Sequence, residues 1–331
     1  MKPRVLVVDD SAFARMLISR LLRETGAIDV VGVARDGRDA LDKIAGLDPD
    51  IVTLDLTMPE LDGLEVLRQL HARPRPRVIV VSISTIDSEP GAEALALGAI
   101  DLISKPTALA SDRLAEIGSA LIGKILATIP LPVAPVPPAI ATSVLPAELV
   151  MIGTSTGGPQ ALTRVLAGLP ADLHAPVTIA LHIPVEYTGS LAARLDRSSP
   201  LHVVEAEDGM PIERGMAVLA RGGSHLRVEG TRGALRARVD PLPLRPFAPS
   251  VDELFTSGAR SVGKGALGVV LTGMGDDGLA GARAIVAAGG RLITESVTTC
   301  VVYGMPRCVD EAGLGAVSVP LEGIAKEIVR G

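Results

Sequence analysis

The sequence predicts an α/β protein in two parts, each built on a mostly parallel, doubly wound sheet. Three observations lead there. Short runs of Val, Ile and Leu alternate with helix-periodic stretches from residue 4 to about 127. Six prolines crowd residues 130–146. The strand–helix alternation then starts again at Leu149. Strands buried on both faces read as near-continuous apolar runs, and repeated βα units give a parallel sheet with right-handed crossovers.

In the first part, RVLVV (4–8), DVVGV (29–33), DIVTL (50–54), RVIVV (77–81) and AIDLI (99–103) read as five strands. Between them FARMLISRLLRET (13–25), RDALDKIAG (38–46) and GLEVLRQLHA (63–72) carry the spacing of amphipathic helices. TIPLPVAPVPPAIATSVLPAE has neither a helical nor a strand period, and its prolines favour a semi-extended tether. The expected division is therefore a first domain over 1–127, a linker over 128–147 and a second domain over 148–331. That second domain opens with the strand LVMIG, a Gly-rich turn and a helix from near Pro159, since proline suits a first helical turn. PVTIALH is the next strand and ends at His182. A β-rich middle follows around GMAVLA and HLRVEG, and the chain closes with strand GALGVVL, helix LAGARAIVAAG, strand RLIT and a terminal helix.

Composition excludes several classes. Apolar residues are 47% of the 331, enough for sizeable cores, yet aromatics are 2% with no Trp. Few aromatics and a net charge of −6 argue against a nucleic-acid partner, which calls for stacking platforms or a basic face. Cys300 and Cys308 lack zinc-site spacing and read as ordinary small core residues in a reducing compartment. MKPRVLVVDD turns acidic too early for a signal peptide, and no apolar run approaches the roughly 18 residues of a membrane span. A cytoplasmic monomer without membrane insertion is expected.

Two clusters carry chemistry. Asp9 and Asp10 follow the first strand, Asp55 the third, Ser82 ends the fourth and Lys105 follows the fifth. In a parallel sheet of order 2-1-3-4-5 these carboxyl ends meet at the switch point where ligands bind. Three carboxylates there need a compensating cation, and hard oxygen donors suit Mg²⁺.

The second cluster starts at Gly153-Thr154-Ser155-Thr156-Gly157-Gly158, a turn between strand and helix. Such a turn presents a hydroxyl beside a helix N-terminus, whose N–H groups can stabilise an oxyanion. A serine nucleophile needs a base, for which His182 is the best candidate, and an acid to orient it, for which Asp277 ends a further strand. Two rival patterns stay open on the residues alone. Gly153–Gly157 fits the G-x-S-x-G elbow, with Asp208 and His225 as partners. Gly273–Gly278 fits G-x-G-x-x-G with Glu295 as a ribose-binding acid, although Asp276 and Asp277 would repel a pyrophosphate. His71, His174 and His202 read as surface or edge residues, while His225 is a possible cleft residue.

VLVVDDS, LDLTMPELDGLEVL, VVSIST and AIDLISKP resemble the receiver domains of two-component response regulators. The resemblance implies a flavodoxin-like domain in which Asp55 is phosphorylated by a chemotaxis-type histidine kinase. It implies Mg²⁺ held by Asp9, Asp10, Asp55 and the carbonyl of Thr57, with Ser82 and Lys105 contacting the phosphoryl group. VMIGTSTGGPQAL, HIP, PSVDELF, GVVLTGMGDDGLAG and VVYGMPR resemble the chemotaxis protein-glutamate methylesterase family, CheB. That resemblance implies a Ser155–His182–Asp277 triad, an oxyanion hole that includes the N–H of Met274, and no cofactor in the catalytic domain. It implies phosphorylation-activated hydrolysis of glutamate methyl esters on chemoreceptors, releasing methanol, with deamidation of receptor glutamines, for adaptation in chemotaxis. The chain departs from the family's usual pattern at Leu181, commonly Gln, at Thr154, commonly Ala, and at Glu295-Ser296-Val297, often Gln-Asp-Glu. The rival from another class is a non-enzymatic, phosphorylation-switched binding module; retention of Ser155, His182 and Asp277 together argues against it.

Overall fold

The computed structural model describes residues 2–70, 76–83, 89–105, 111–129, 146–240 and 247–330. Contacts divide the chain into two compact units, residues 1–129 and 130–331. Most of the proline-rich stretch and the end of the helix expected over 63–72 lie outside the described residues.

The first unit alternates strand and helix throughout: β1 (Arg4–Val8), α1 (Ala12–Glu24), β2 (Asp29–Ala34), α2 (Gly37–Leu47), β3 (Ile51–Leu54), α3 (Gly63–Leu70), β4 (Arg77–Ile83), α4 (Glu89–Ala96), β5 (Ala99–Lys105) and α5 (Ser111–Ala127). The strands form one parallel sheet in the order β2-β1-β3-β4-β5, as the apolar runs predict. Val5, Leu6, Val7, Val52 and Ile79 are fully buried between two helical layers. Ser11 caps α1, its hydroxyl accepting from Ala14 N at 3.3 Å, and so leaves Asp9 and Asp10 in the loop between strand and helix. Gly63 lets α3 start against the third strand's end: a Cβ there would stand 2.3 Å from the Asp55 carbonyl oxygen.

The second unit contains β6 (Leu149–Thr154), α6 (Gly158–Ala167), β7 (Val177–Leu181), α7 (Thr188–Ser198), β8 (His202–Glu205), β9 (Met216–Leu219), β10 (His225–Thr231), β11 (Ala234–Asp240), α8 (Val251–Val262), β12 (Ala266–Val270), α9 (Leu279–Ala287), β13 (Arg291–Glu295), α10 (Met305–Glu311), β14 (Val317–Val319) and α11 (Leu321–Arg330). Seven strands make one parallel sheet, β14-β13-β12-β6-β7-β9-β8. From β6 the chain winds first toward β8 and later from β12 toward β14, so the switch point lies between β6 and β12. Ligands of open α/β sheets bind at the carboxyl ends of the strands flanking such a point. One face of the sheet packs Leu162, Val165, Leu191, Leu195 and Ile324 of α6, α7 and α11. The other packs Leu254, Phe255, Ala282, Ile285 and Val309 of α8, α9 and α10. The β-rich middle is not one sheet. GMAVLA supplies β9 of the main sheet, whereas HLRVEG forms β10, paired antiparallel with β11 in a separate ribbon. Among the described residues no helix is long and apolar enough to cross a membrane.

Candidate active site

Ser155 follows β6 directly and is buried. The turn closes tightly: the Ser155 carbonyl accepts from Gly158 N at 2.7 Å, and α6 starts there. Gly157 takes φ 83°, a left-handed conformation that glycine adopts without steric cost, and a Cβ there would stand 2.8 Å from Val301. Across the switch point, Thr272 binds this turn at several places. Its carbonyl accepts from Ser155 N at 3.1 Å and Thr154 Oγ1 at 2.7 Å. Its hydroxyl donates to the Thr156 carbonyl at 2.9 Å and accepts from Val302 N at 2.9 Å. The next residue, Gly273, is packed so closely that a Cβ on it would lie 2.9 Å from Ser155 Cβ. The Gly273 carbonyl accepts from Gly304 N and Met305 N, at 3.1 and 2.9 Å, which fixes the loop ahead of Met274. Among the described residues nothing accepts a hydrogen bond from Met274 N.

His182 follows β7, with its backbone N donating to the Thr154 carbonyl at 3.1 Å beside the serine turn. Its Nε2 lies 2.8 Å from Asp277 Oδ2. The imidazole stacks on Phe247, ring centroids 4.7 Å apart and planes 8° from parallel. Asp277 is buried and accepts three more hydrogen bonds: Ser250 Oγ at 2.9 Å, Val251 N at 2.8 Å and Asp252 N at 3.0 Å. It thus sits on the N-terminus of α8, where unpaired N–H groups and the helix dipole favour an anion. Burial alone would push this carboxyl up; the bonds from His182, Asp252 and Val251 outweigh it and hold the carboxyl below its ordinary value. Asp276 is exposed. Among the described residues no hydrogen bond joins Ser155 Oγ to the imidazole. Catalytic bonds of this kind often tighten only around substrate.

The rival patterns fare differently. Asp208 is exposed and bonds Arg238 Nη1 and Val239 N, both at 3.0 Å. His225 is buried, its Nδ1 accepting from Ser250 N at 3.2 Å, and burial lowers its basicity. No elbow triad links the two. Glu295 is fully buried with Oε2 on Thr272 N at 2.8 Å, so it has no surface to offer a ribose. His174 and His202 are exposed; His71 lies outside the described residues. Cys300 and Cys308 are half-buried free thiols rather than full core residues. Burial pushes both up, which makes them poor nucleophiles.

Sequence reasoning missed Phe247, Ser250, Asp252 and Thr272. One signal was available: Ser250-x-x-Glu253 is a capping box that marks the start of α8, and Ser250 Oγ indeed accepts from Glu253 N at 3.4 Å.

In the first unit, carboxylate oxygens of Asp9, Asp10 and Asp55 all lie within 4.8 Å of one another. Asp9 and Asp55 are buried and Asp10 is exposed. Lys105 Nζ bridges the buried pair, 2.6 Å from Asp9 Oδ2 and 2.5 Å from Asp55 Oδ2. Asp9 Oδ1 accepts from Ser11 N at 3.0 Å, and Thr57 N donates to Asp55 Oδ1 at 3.3 Å. Ser82 is buried in β4, one residue before the pair Ile83–Lys105 that joins β4 to β5. Burial raises the Asp9 carboxyl despite Lys105. Three clustered oxygen donors against one ammonium fit a hard divalent cation, and the exposed Asp10 leaves room for the waters that Mg²⁺ retains.

Known proteins match both units. Residues 5–116 match the family "Response regulator receiver domain" and residues 150–328 the family "CheB methylesterase". A "Protein-glutamate methylesterase/protein-glutamine glutaminase 5" of Myxococcus xanthus is 54% identical, covering 97% of this chain and 95% of its own. A similarly named protein of Geobacillus kaustophilus is 44% identical over 99% and 98% of the two chains. The crystal structure of the Thermotoga maritima CheB methylesterase catalytic domain, 36% identical, superposes with a TM-score of 0.54, covering 56% of this chain and 99% of that one.

Proposed function

Since this chain belongs to the CheB methylesterase family and carries a response-regulator receiver domain, we propose that it hydrolyses γ-glutamyl methyl esters on chemoreceptors and deamidates receptor glutamines at the same site. The observation that carries the reading is the His182–Asp277 pair, held on one sheet edge beside the Ser155 turn. With Nε2 engaged by Asp277, the imidazole has Nδ1 left to act as base. This reverses the nitrogens of the familiar serine-protease arrangement.

Ser155 Oγ attacks the ester carbonyl carbon while His182 Nδ1 takes its proton. The new C–O bond places negative charge on the former carbonyl oxygen, which accepts a hydrogen bond from the Met274 N–H. The intermediate collapses, the C–OCH₃ bond breaks, and His182 returns the proton to the departing methoxide as methanol. Water repeats the sequence on the acyl-enzyme and releases the glutamate carboxylate. With a glutamine the same steps release ammonia. Asp277 stays ionised and holds the imidazolium in place.

In the receiver domain, Asp55 accepts a phosphoryl group from a chemotaxis-type histidine kinase, and that event raises the esterase rate. Asp9, Asp10, Asp55 and the Thr57 carbonyl would hold Mg²⁺, which would supply the charge neutralisation that the transferring phosphoryl group needs. Ser82 and Lys105 contact the phosphoryl oxygens. The cytoplasm, where chemoreceptor helices and kinase meet, is the working compartment.

The deciding experiment is methanol release from methylated receptors by purified full-length protein, wild type against Ser155→Ala. Wild type should release methanol, and the variant should lose several orders of magnitude in kcat. Activity in the variant within tenfold of wild type would remove Ser155 from the nucleophile's role.

A further inference from the structure

Glu295 is the last residue of β13 and fully buried. Among the described residues no Lys, Arg or His reaches it as an ion pair. The charged or titratable groups that act on it are Cys300 of the following loop and Glu322 of α11, and Asp310 of α10 is bonded to the neighbouring Thr294. None of these supplies positive charge. A buried carboxylate without a counter-ion is strongly disfavoured, and such a group takes up a proton instead.

The hydrogen bonds have room for that proton. Glu295 Oε2 accepts from Thr272 N at 2.8 Å. Oε1 lies 3.0 Å from Thr299 Oγ1. That hydroxyl also accepts from Leu321 N at 3.0 Å and has the Ser296 carbonyl at 3.4 Å as a place to donate. A proton on Oε1 therefore donates to Thr299, whose own hydrogen turns to Ser296. Burial, the largest influence, pushes this carboxyl above its ordinary value, against the opposing pull of Thr272 and Thr299.

What Glu295 holds is the residue that locks the catalytic turns. Thr272 carries the nucleophile turn on its carbonyl and hydroxyl, and it immediately precedes the Gly273–Met274 loop. We propose that Glu295 is a positioning residue which works as a neutral acid: its carbonyl oxygen fixes Thr272, and through Thr272 both the Ser155 turn and the Met274 N–H. The inference rests on the esterase reading above. An amide would serve equally, with its oxygen on Thr272 N and its NH₂ on Thr299 Oγ1. A carboxylate would not, because it brings charge without a partner.

The test compares full-length wild type, Glu295→Gln and Glu295→Ala in the methanol-release assay, with melting temperatures and infrared difference spectra at neutral pH. Wild-type turnover is the control: if it is absent the esterase reading fails, whatever Glu295 does. Glu295→Gln should keep kcat and KM within about threefold of wild type, and Glu295→Ala should lose roughly a hundredfold in kcat with KM little changed, the signature of a misplaced constellation. The wild-type minus Glu295→Gln spectrum should contain the C=O stretch of one protonated carboxyl. If Glu295→Ala fails to fold, the Gln variant and the spectrum decide alone. The proposal is overturned if Gln loses as much as Ala, if Ala keeps kcat within about threefold, or if the difference spectrum shows only a carboxylate.

Discussion

Asp277 and Asp252 cap each other's helices. Asp277, in the loop before α9, accepts from Val251 N and Asp252 N at the start of α8, at 2.8 and 3.0 Å. Asp252, in the first turn of α8, accepts through Oδ1 from Gly278 N at 2.9 Å and Gly281 N at 2.7 Å at the start of α9. Each carboxylate meets the positive end of the other's helix, so two N-termini are satisfied without a cation. The acid facing the imidazole is therefore fixed by main-chain geometry.

Asp277→Asn should cripple catalysis while leaving a folded protein. An amide can keep one oxygen on the α8 amides, but it either presents NH₂ to His182 Nε2 or fails to stabilise the imidazolium. The loss expected is on the order of 10⁴ in kcat, by analogy with triads whose acid is amidated. Asp276→Asn, at an exposed position, should stay within about threefold. Equal losses in the two variants would reassign the acid.

The same carboxylate gives a pH signature. Asp277 is held below its ordinary value of 3.8. Its native-state pKa is thus lower than its unfolded one, so its contribution is present above about pH 4 and is lost as pH falls through the depressed value. Melting temperature from pH 5 to pH 2 should fall less steeply in Asp277→Asn than in wild type. Asp39 and Asp196, also held low, remain in both proteins and cancel in the comparison. Parallel curves would show that Asp277 gains nothing from its helix and histidine partners.

Phe247→Leu should slow turnover without unfolding the chain. The imidazole lies nearly parallel to this ring and gains positive charge in the transition state. A cation over an aromatic face is worth about 1 kcal/mol, or roughly fivefold in kcat. Leu keeps the apolar contact and removes the ring's quadrupole. The comparison to make is kcat for Leu and Tyr variants, since Tyr should preserve the rate; a loss shared by both would point to shape rather than charge.

How much of this was legible in the sequence depends on the kind of signal. The five-stranded order and both side-chain clusters follow from strand ends, because a parallel sheet delivers every strand's carboxyl end to one edge. Asp9, Asp55 and Lys105 meet for that reason, and so do His182 and Asp277 beside the Ser155 turn. Phe247 gave no signal: it lies in a proline-rich stretch with no period, and its contact with His182 spans 65 positions. Glu295 was misleading, since an acid after a strand suits a surface ligand and only tertiary packing shows it sealed beneath Thr272. Asp252 sat in plain view beside a capping box, but a cap that reaches to a second helix is not written in local spacing.

The last prediction concerns the first unit's acids and the control they exert. Lys105 Nζ already neutralises part of the charge on Asp9 and Asp55. A phosphoryl group on Asp55 carries up to about two negative charges in place of the carboxylate's one, beside the buried Asp9. One ammonium cannot offset that, so incorporation from a small phosphodonor should need a divalent cation, and EDTA or Asp55→Asn should each abolish it. The new oxygens also compete with Asp9 and Asp55 for the Lys105 ammonium, and that competition is a local event available for signalling. Its effect on the esterase is bounded by how differently the two receiver states favour the active enzyme: about 1.4 kcal/mol gives a tenfold shift. Full-length wild type should therefore release methanol about tenfold faster with phosphodonor and Mg²⁺ than without, while Asp55→Asn stays at the basal rate under both conditions. Phosphate incorporated into Asp55→Asn would move the acceptor to another residue. Incorporation at Asp55 with no change in rate would leave the receiver a role in receptor targeting instead of activation.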